Sequence, residues 1–250
     1  MTDIVSADRS LWVTWCDVAE ADREQYLAWL HGSYIPAVLK RPGYLWAAHY
    51  ASVKKNNMST MRREKGLHNT KDQTVPPGED FLLFFAAADS AVFGACSPVE
   101  INAALPEADK KLLALRRNER TNILVEAARV QGPEHAGYTA GMQLAPCIQM
   151  GQFNCTPAYE AEMMAWYARW RMPAMARLPG CIRTRKLASV AGWAKHAILY
   201  EFTSLAARNE YFTKHEDAHP DMIAWGDKMV AQLTHAPGSA NLAVRLWPAV

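Results

Sequence analysis

The chain has no apolar run that approaches the roughly 20 residues a membrane-spanning helix needs; Phe81 to Ala88, among the longest, covers only eight positions. Nor does Met1-Thr2-Asp3 open a basic stretch followed by an apolar one, so no secretory leader is expected and a cytoplasmic protein is the simplest reading. An excess of charge of one sign is missing too, since 27 Lys and Arg stand against 25 Asp and Glu for a net charge of +2. That balance speaks against nucleic acid and against a membrane surface as partners. Cysteine is sparse, with five residues and no CxxC pair. An odd number of scattered thiols does not make a disulfide framework, and each reads as a small buried side chain.

The common catalytic fingerprints are absent as well. There is no GxSxG elbow, no Walker loop, no GxGxxG after a strand and no HExxH, which sets aside hydride and phosphoryl transfer on a nucleotide cofactor. His215 and His219 stand four apart, as ligands on one helix face do, but Pro220 starts a new helix near His219 and breaks the continuity. No metal is expected. What the chain does have is 250 residues, half of them hydrophobic, enough for one large domain or two of about 100 to 125 residues. It also has nine Trp and nine Tyr, and aromatic surface beyond the needs of a core lines pockets for apolar ligands.

An internal repeat decides between one domain and two. Tyr26 to Ser52 lies over Met163 to Ser189 at a constant offset of 137, with eight identities in 27 positions that include Trp29/Trp166, Pro36/Pro173, Pro42/Pro179 and Gly43/Gly180. Leu27, Leu30, Tyr34, Ile35 and Val38 recur near a 3.6-residue period, as do Met164, Tyr167, Met172 and Met175, so each copy begins as an amphipathic helix. Pro36 and Pro173 are expected to disturb its last turn. The Pro-Gly pairs then mark tight turns into strands over Tyr44 to Val53 and Cys181 to Val190. Outward from this unit, Leu11 to Val18 and Met142 to Cys155 read as preceding strands, the second ended by a Thr156-Pro157 helix start. Phe81 to Ala88 and Ala197 to Phe202 read as third strands, aligned at Leu82-Leu83-Phe84 over Ile198-Leu199-Tyr200. Ser97-Pro98-Val99-Glu100 is a capping box, Ser204 a second cap, and Thr121 to Val130 and Asn241 to Trp247 close each copy. The expected fold class is α+β: two βαββαβ modules of ferredoxin-like type, 8–135 with an insert at 53–80 and 140–250.

The run Trp29-Leu30-His31-Gly32-Ser33-Tyr34-Ile35-Pro36, then Pro42-Gly43, then His49-Tyr50, resembles the EthD-like families of dimeric α+β barrel proteins. Their first helix reads Trp-Tyr-x-x-x-His-Ile-Pro, followed by x-Pro-Gly and a strand ending near Arg-Tyr. The family histidine falls on Tyr34 in one copy and Arg171 in the other, and the family arginine on His49 or Lys186. The resemblance implies two four-stranded sheets packed face to face as a barrel, with a cavity between sheet and helices, built here by one chain. It also implies a range of catabolic chemistries, among them isomerases, cyclases, decarboxylases, lyases and cofactor-independent monooxygenases.

The expected function is therefore a cofactor-independent enzyme that moves a proton on a small apolar or aromatic metabolite. A non-catalytic ligand-binding protein and a haem-binding barrel with a histidine axial ligand are the alternatives. Tyr34, on the apolar helix stripe, His49, alternating with Leu45, Ala47 and Ala51 on one strand face, and the more exposed His31 are the candidate catalytic groups. Trp29, Trp46, Tyr50, His68, Arg171, Arg185 and His196 are the candidate substrate-binding residues, with Trp46 and Tyr50 also directed to the barrel interior. The polar insert between Ser52 and Phe81 reads as a lid over the first copy's cavity, marking that copy as the working half. A small-molecule substrate is the expected partner, and pairing of the whole chain with a second copy stays open.

Overall fold

The computed structural model describes residues 8–53, 67–138, 145–212, 214 and 220–249. His215, His219 and the basic part of the insert lie outside the described residues, as does the beginning of the strand expected from Met142.

Period-two alternation gives each long strand two environments. On β1 (Ser10–Asp17), Leu11, Val13 and Trp15 pack on one side, while Trp12 and Cys16 pack on the other. The remaining strands are β2 (Tyr44–Ser52), β3 (His68–Asn69), β4 (Phe81–Ala87), β5 (Arg117–Gln131), β6 (Cys147–Cys155), β7 (Cys181–Ala191), β8 (His196–Phe202), β9 (Leu233–His235) and β10 (Asn241–Trp247). Eight of them form a closed antiparallel barrel in the order β2-β4-β1-β5-β7-β8-β6-β10, which closes back through the pairing of β10 with β2. Each half contributes its strands in the same order (second, third, first, fourth), and the halves join at β5–β7 and β10–β2. The second copy's third strand therefore does not align as expected. Thr14 pairs with Leu83 and Gly151 with Ile198, so Leu83, not Leu82, is the counterpart of Ile198. A one-residue slip in a strand exchanges its two faces, which is why the pattern of similar residues misled there.

The helical segments match in position. The first runs through a 3-10 turn (Glu20–Asp22), an α-helix (Arg23–Trp29), a π turn (Leu30–Tyr34) and a final α turn (Ile35–Leu39). The second has its 3-10 turn at Pro157–Tyr159, its α-helix at Glu160–Trp166, its π turn at Tyr167–Arg171 and its final turn at Met172–Met175. Every segment starts 137 residues after its counterpart. The prolines do not end these helices. Ile35 N–H bonds to the Leu30 carbonyl and Met172 N–H to that of Tyr167, five residues back. This widening immediately before Pro36 and Pro173 makes room for a ring that has no N–H to give. Gly43 and Gly180 then turn the chain at φ of 88° and 76°, where an added Cβ would lie 2.7 Å from Val92 or Ala207. The Ser97 capping box and the Ser204 cap both form; Thr156 occupies its N-cap position without a side-chain bond.

Three apolar layers result. One fills the barrel, and one lies between sheet and helices in each half. Among the described residues no helix is long and apolar enough to cross a membrane. The described end of the insert does not stay with the first half: His68 and Asn69 pair in parallel with Thr234 and His235, and Thr70 N–H bonds to the His235 carbonyl at 2.8 Å.

Candidate functional site

In the first half, aromatic side chains pack the layer between sheet and helices. Trp12 and Phe85 pack at 4.8 Å between ring centres and Trp29 and Tyr34 at 5.1 Å. The Arg116 guanidinium stands 5.3 Å from the Tyr34 ring and donates to the Tyr26 hydroxyl. Tyr34 gives its own hydroxyl to Asn102 Oδ1 at 2.7 Å. The structure brings His31 and His49 together, with His31 Nε2 2.9 Å from His49 Nδ1. His31 is half-buried and not exposed as expected, stacked on Trp247, while His49 is fully buried against Phe81. Burial holds the His49 pKa well below its ordinary value, and its Nε2 has no hydrogen-bond partner. Trp29 is likewise buried with an unpartnered Nε1.

A cavity opens in the second half, while the first copy was expected to be the working one. It measures about 80 Å³ and is lined by Gln149, Gly151, Phe153, Trp166, Tyr167, Arg171, Ile198, Tyr200, Val230, Leu233, His235 and Ala240, together with Leu67 of the insert. Its origin can be read from the counterpart positions. Where the first half has Trp12 and Thr14 on β1, the second has Gln149 and Gly151 on β6, so an indole and a hydroxyl-bearing side chain are replaced by an amide and by nothing. Gln149 is also drawn aside, because its Oε1 accepts from Arg208 Nε at 2.8 Å. The described end of the insert reaches this second half, where Leu67 forms part of the wall and its neighbours are anchored on β9.

Two polar groups converge on the aromatic lining. Arg171, 5% exposed, donates from Nε to the Tyr200 hydroxyl at 2.8 Å and lies 5.0 Å from that ring and 4.9 Å from Phe212. His235, also 5% exposed, packs 5.5 Å from Phe153. Its Nδ1 has no hydrogen-bond partner, and its other contact is a hydrogen bond to the His68 backbone. In the neutral tautomer that carries its proton on Nε2, the Nδ1 lone pair is uncommitted. Burial pushes the His235 pKa down to about 4, so the ring is neutral at physiological pH.

The other sequence candidates lie elsewhere. Trp46 and Tyr50 pack in the barrel interior, donating to Asp8 Oδ2 and to the Ala145 carbonyl. Arg185 is 0% exposed in the same interior, paired with Asp8 at 2.7 Å and Glu201 at 3.2 Å. These three line the closed barrel and not the cavity. His68 is exposed. His196 is buried behind Phe153, 3.3 Å from Lys186 Nζ and 3.4 Å from Glu160. Four of the cysteines are buried as expected, and Cys96 is half-buried; burial raises the Cys16 thiol to about 11 and those of Cys147 and Cys181 to about 12. Gln149 and Gly151 could have been found from sequence by carrying the 137 offset back into the preceding strand. His235 could not, because β9 has no counterpart in the first half among the described residues. No group of metal-ligating side chains occurs among the described residues.

No family model and no curated protein matches the chain in sequence. Solved structures do match it along its length. An anthrone oxidase-like protein superposes with a TM-score of 0.59 at 11% identity, over 97% of this chain and 93% of the other. A candidate monooxygenase of Fusobacterium nucleatum gives 0.57 at 10% identity, over 96% and 93%. A dye-decolorizing protein from V. cholerae gives 0.53 at 12%, over 96% and 94%. The chain has the dimeric α+β barrel fold of these structures, and at such identities the likeness establishes the fold alone.

Proposed function

We propose that the chain is a tandem pair of ferredoxin-like modules, 8–135 and 140–250, of EthD-like descent, acting as a cofactor-independent enzyme on a small aromatic or apolar metabolite held in the second module's cavity. The observation that carries this reading is the buried, unpartnered Nδ1 of His235 in an aromatic wall. A neutral imidazole in the cavity wall, with a buried lone pair that no protein group uses, can take a proton from an acidic C–H or O–H, and a lone pair left unused costs stability. Arg171 and the Tyr200 hydroxyl stand ready for the negative charge this leaves, or for a substrate carboxylate. The names of the structural neighbours, which speak of anthrones and dyes, fit a flat ring system. The common strand order and the 137-residue spacing support the tandem reading.

Haem was the alternative among cofactors, with a histidine as axial ligand. His235 is an imidazole of the cavity wall, but a cavity of about 80 Å³ is of the order of a single-ring metabolite and is far smaller than a four-ring macrocycle. The residues present do not fit that group, and no step is derived through it.

Phenylpyruvate carries the expected features on one ring: a carboxylate, an acidic C–H and an apolar body. Titrated into the protein and followed by tryptophan fluorescence, it is expected to bind saturably, and Arg171→Met to weaken binding at least about ten-fold, the worth of one charge-assisted hydrogen bond. In D2O, exchange of its benzylic protons is expected to be catalysed by the native chain and abolished in His235→Gln, with binding retained. Above about pH 5 the exchange rate should be flat, because His235 titrates near 4. Exchange that survives in His235→Gln, or a Soret band on adding haemin, overturns the reading.

A further inference from the structure

Lys186 occupies on β7 the position that His49 occupies on β2, 137 residues earlier, and it is 1% exposed. A buried ammonium is ordinarily held by a carboxylate, because an unpaired charge in an apolar interior is costly. Lys186 has none within reach among the described residues. Its Nζ donates to the Leu187 carbonyl at 3.1 Å and toward His196 Nδ1 at 3.3 Å, and lies 5.4 and 5.3 Å from the ring centres of Phe153 and Tyr167. The titratable groups around it are Cys155 on β6, Glu160 and Tyr167 on the second helix, and His196 and Lys195 at the start of β8. Glu160 is engaged by Lys195 and by His196 Nε2. That contact places the histidine proton on Nε2 and turns the Nδ1 lone pair toward Lys186. Burial draws the lysine pKa down to about 7, so the free amine is abundant at neutral pH.

The surroundings are arranged as a reactive site would be. Phe153 and Tyr167, parallel to within 6°, line the cavity and also cover the amine, and His196, itself held by the partly exposed Glu160, lies against it. The first half cannot do the same chemistry, since its counterpart His49 has no primary amine.

We propose that Lys186 is an imine-forming amine that captures an aldehyde or ketone with a flat apolar body, with His196 moving the proton. The Nζ lone pair attacks the carbonyl carbon, and His196 Nδ1 takes a proton from the nitrogen and passes it to the carbonyl oxygen. The carbinolamine then loses water, which carries away both amine protons and the carbonyl oxygen, and leaves a C=N bond. No oxidant or cofactor is needed, and hydrolysis reverses the step. The inference does not depend on His235 or on phenylpyruvate binding.

The test uses the full native chain with formaldehyde, and separately benzaldehyde, in the presence of cyanoborohydride, followed by peptide mapping. Lys186 is expected to be alkylated at pH 7. An ordinary lysine with a pKa of about 10.4 gains roughly ten-fold in free amine per pH unit up to that value, whereas Lys186 levels off. The yield on Lys186 relative to exposed lysines in the same digest should therefore fall at least ten-fold between pH 7 and pH 9. Phe153→Ala, which removes one covering ring, should speed benzaldehyde capture several-fold, and Lys186→Met should remove the adduct. The proposal is overturned if Lys186 stays unmodified in the folded chain while reacting in urea. A Lys186 yield that keeps a constant ratio to the exposed lysines across this pH range overturns it equally.

Discussion

Glu201→Ala is expected to destabilise the protein by about 3–5 kcal/mol, the cost of breaking a buried ion pair by removing one partner. Glu201 sits on β8 in the barrel interior, 0% exposed. It accepts from Arg183 Nε and Nη2 at 2.7 Å each and lies 3.2 Å from Arg185 Nε. Asp8 pairs with Arg185 at 2.7 Å and Arg129 at 2.6 Å, and Glu126 meets Arg129 at 2.7 Å. Arg129, Arg183 and Arg185 thus face Asp8, Glu126 and Glu201 in a cluster that runs from the buried barrel interior to the half-buried Arg129 and Glu126, each stabilised mainly because the others are there. Taking away Glu201 leaves Arg183 and Arg185 buried with too little negative charge between them. For a chain of this length the loss should lower the melting temperature by on the order of 10 °C. Urea unfolding at pH 7.5 checks it, with Glu201→Gln, which keeps the shape and removes the charge, as the companion variant. A loss below about 1 kcal/mol for Glu201→Ala would show that the arginines find water and that the cluster is not closed.

A comparable effect is expected from acidification through the two buried histidines. His235 titrates near 4 in the folded chain against about 6.5 in an unfolded one, and His49 is shifted in the same direction by burial. For a group whose folded pKa is depressed, the unfolded chain takes up the proton first. Stability is therefore complete above about pH 6.5 and drains away as pH falls toward 4. A displacement of about 2.5 units corresponds to on the order of 3 kcal/mol for His235 alone. The carboxylates of Asp8 and Glu201, held low by their arginines despite burial, lose their contribution only below the ordinary carboxylate range. The two windows are thus separable. Urea midpoints at pH 7.5 and 4.5 should differ strongly in the native chain and much less in a His49→Phe, His235→Gln double variant. Equal sensitivity in the two proteins would assign the acid response to other groups.

The amino-acid sequence determined the architecture because its signals are local and were printed twice. Trp29, Pro36 and Pro42-Gly43 recur with Trp166, Pro173 and Pro179-Gly180 at one spacing, and helix periodicity, turn chemistry and strand alternation act over a few residues each. They predicted nearly every element that positions the site, Tyr34 on the buried stripe and His49 on the helix-facing side of its strand among them. Tertiary structure alone decided where a ligand fits. Whether space remains between sheet and helices depends on summed volumes across strands far apart in sequence, Trp12 with Phe85 in one half and Gln149 with Gly151 in the other. Strand register, which a single residue can slip, and the crossing of Leu67 and His68 onto β9 are contacts between segments more than 160 residues apart, and no local pattern encodes them. The pairings of His31 with His49, Arg171 with Tyr200 and Lys186 with His196 are of the same kind: residue type was legible, and the partner that sets each group's charge was supplied by the fold.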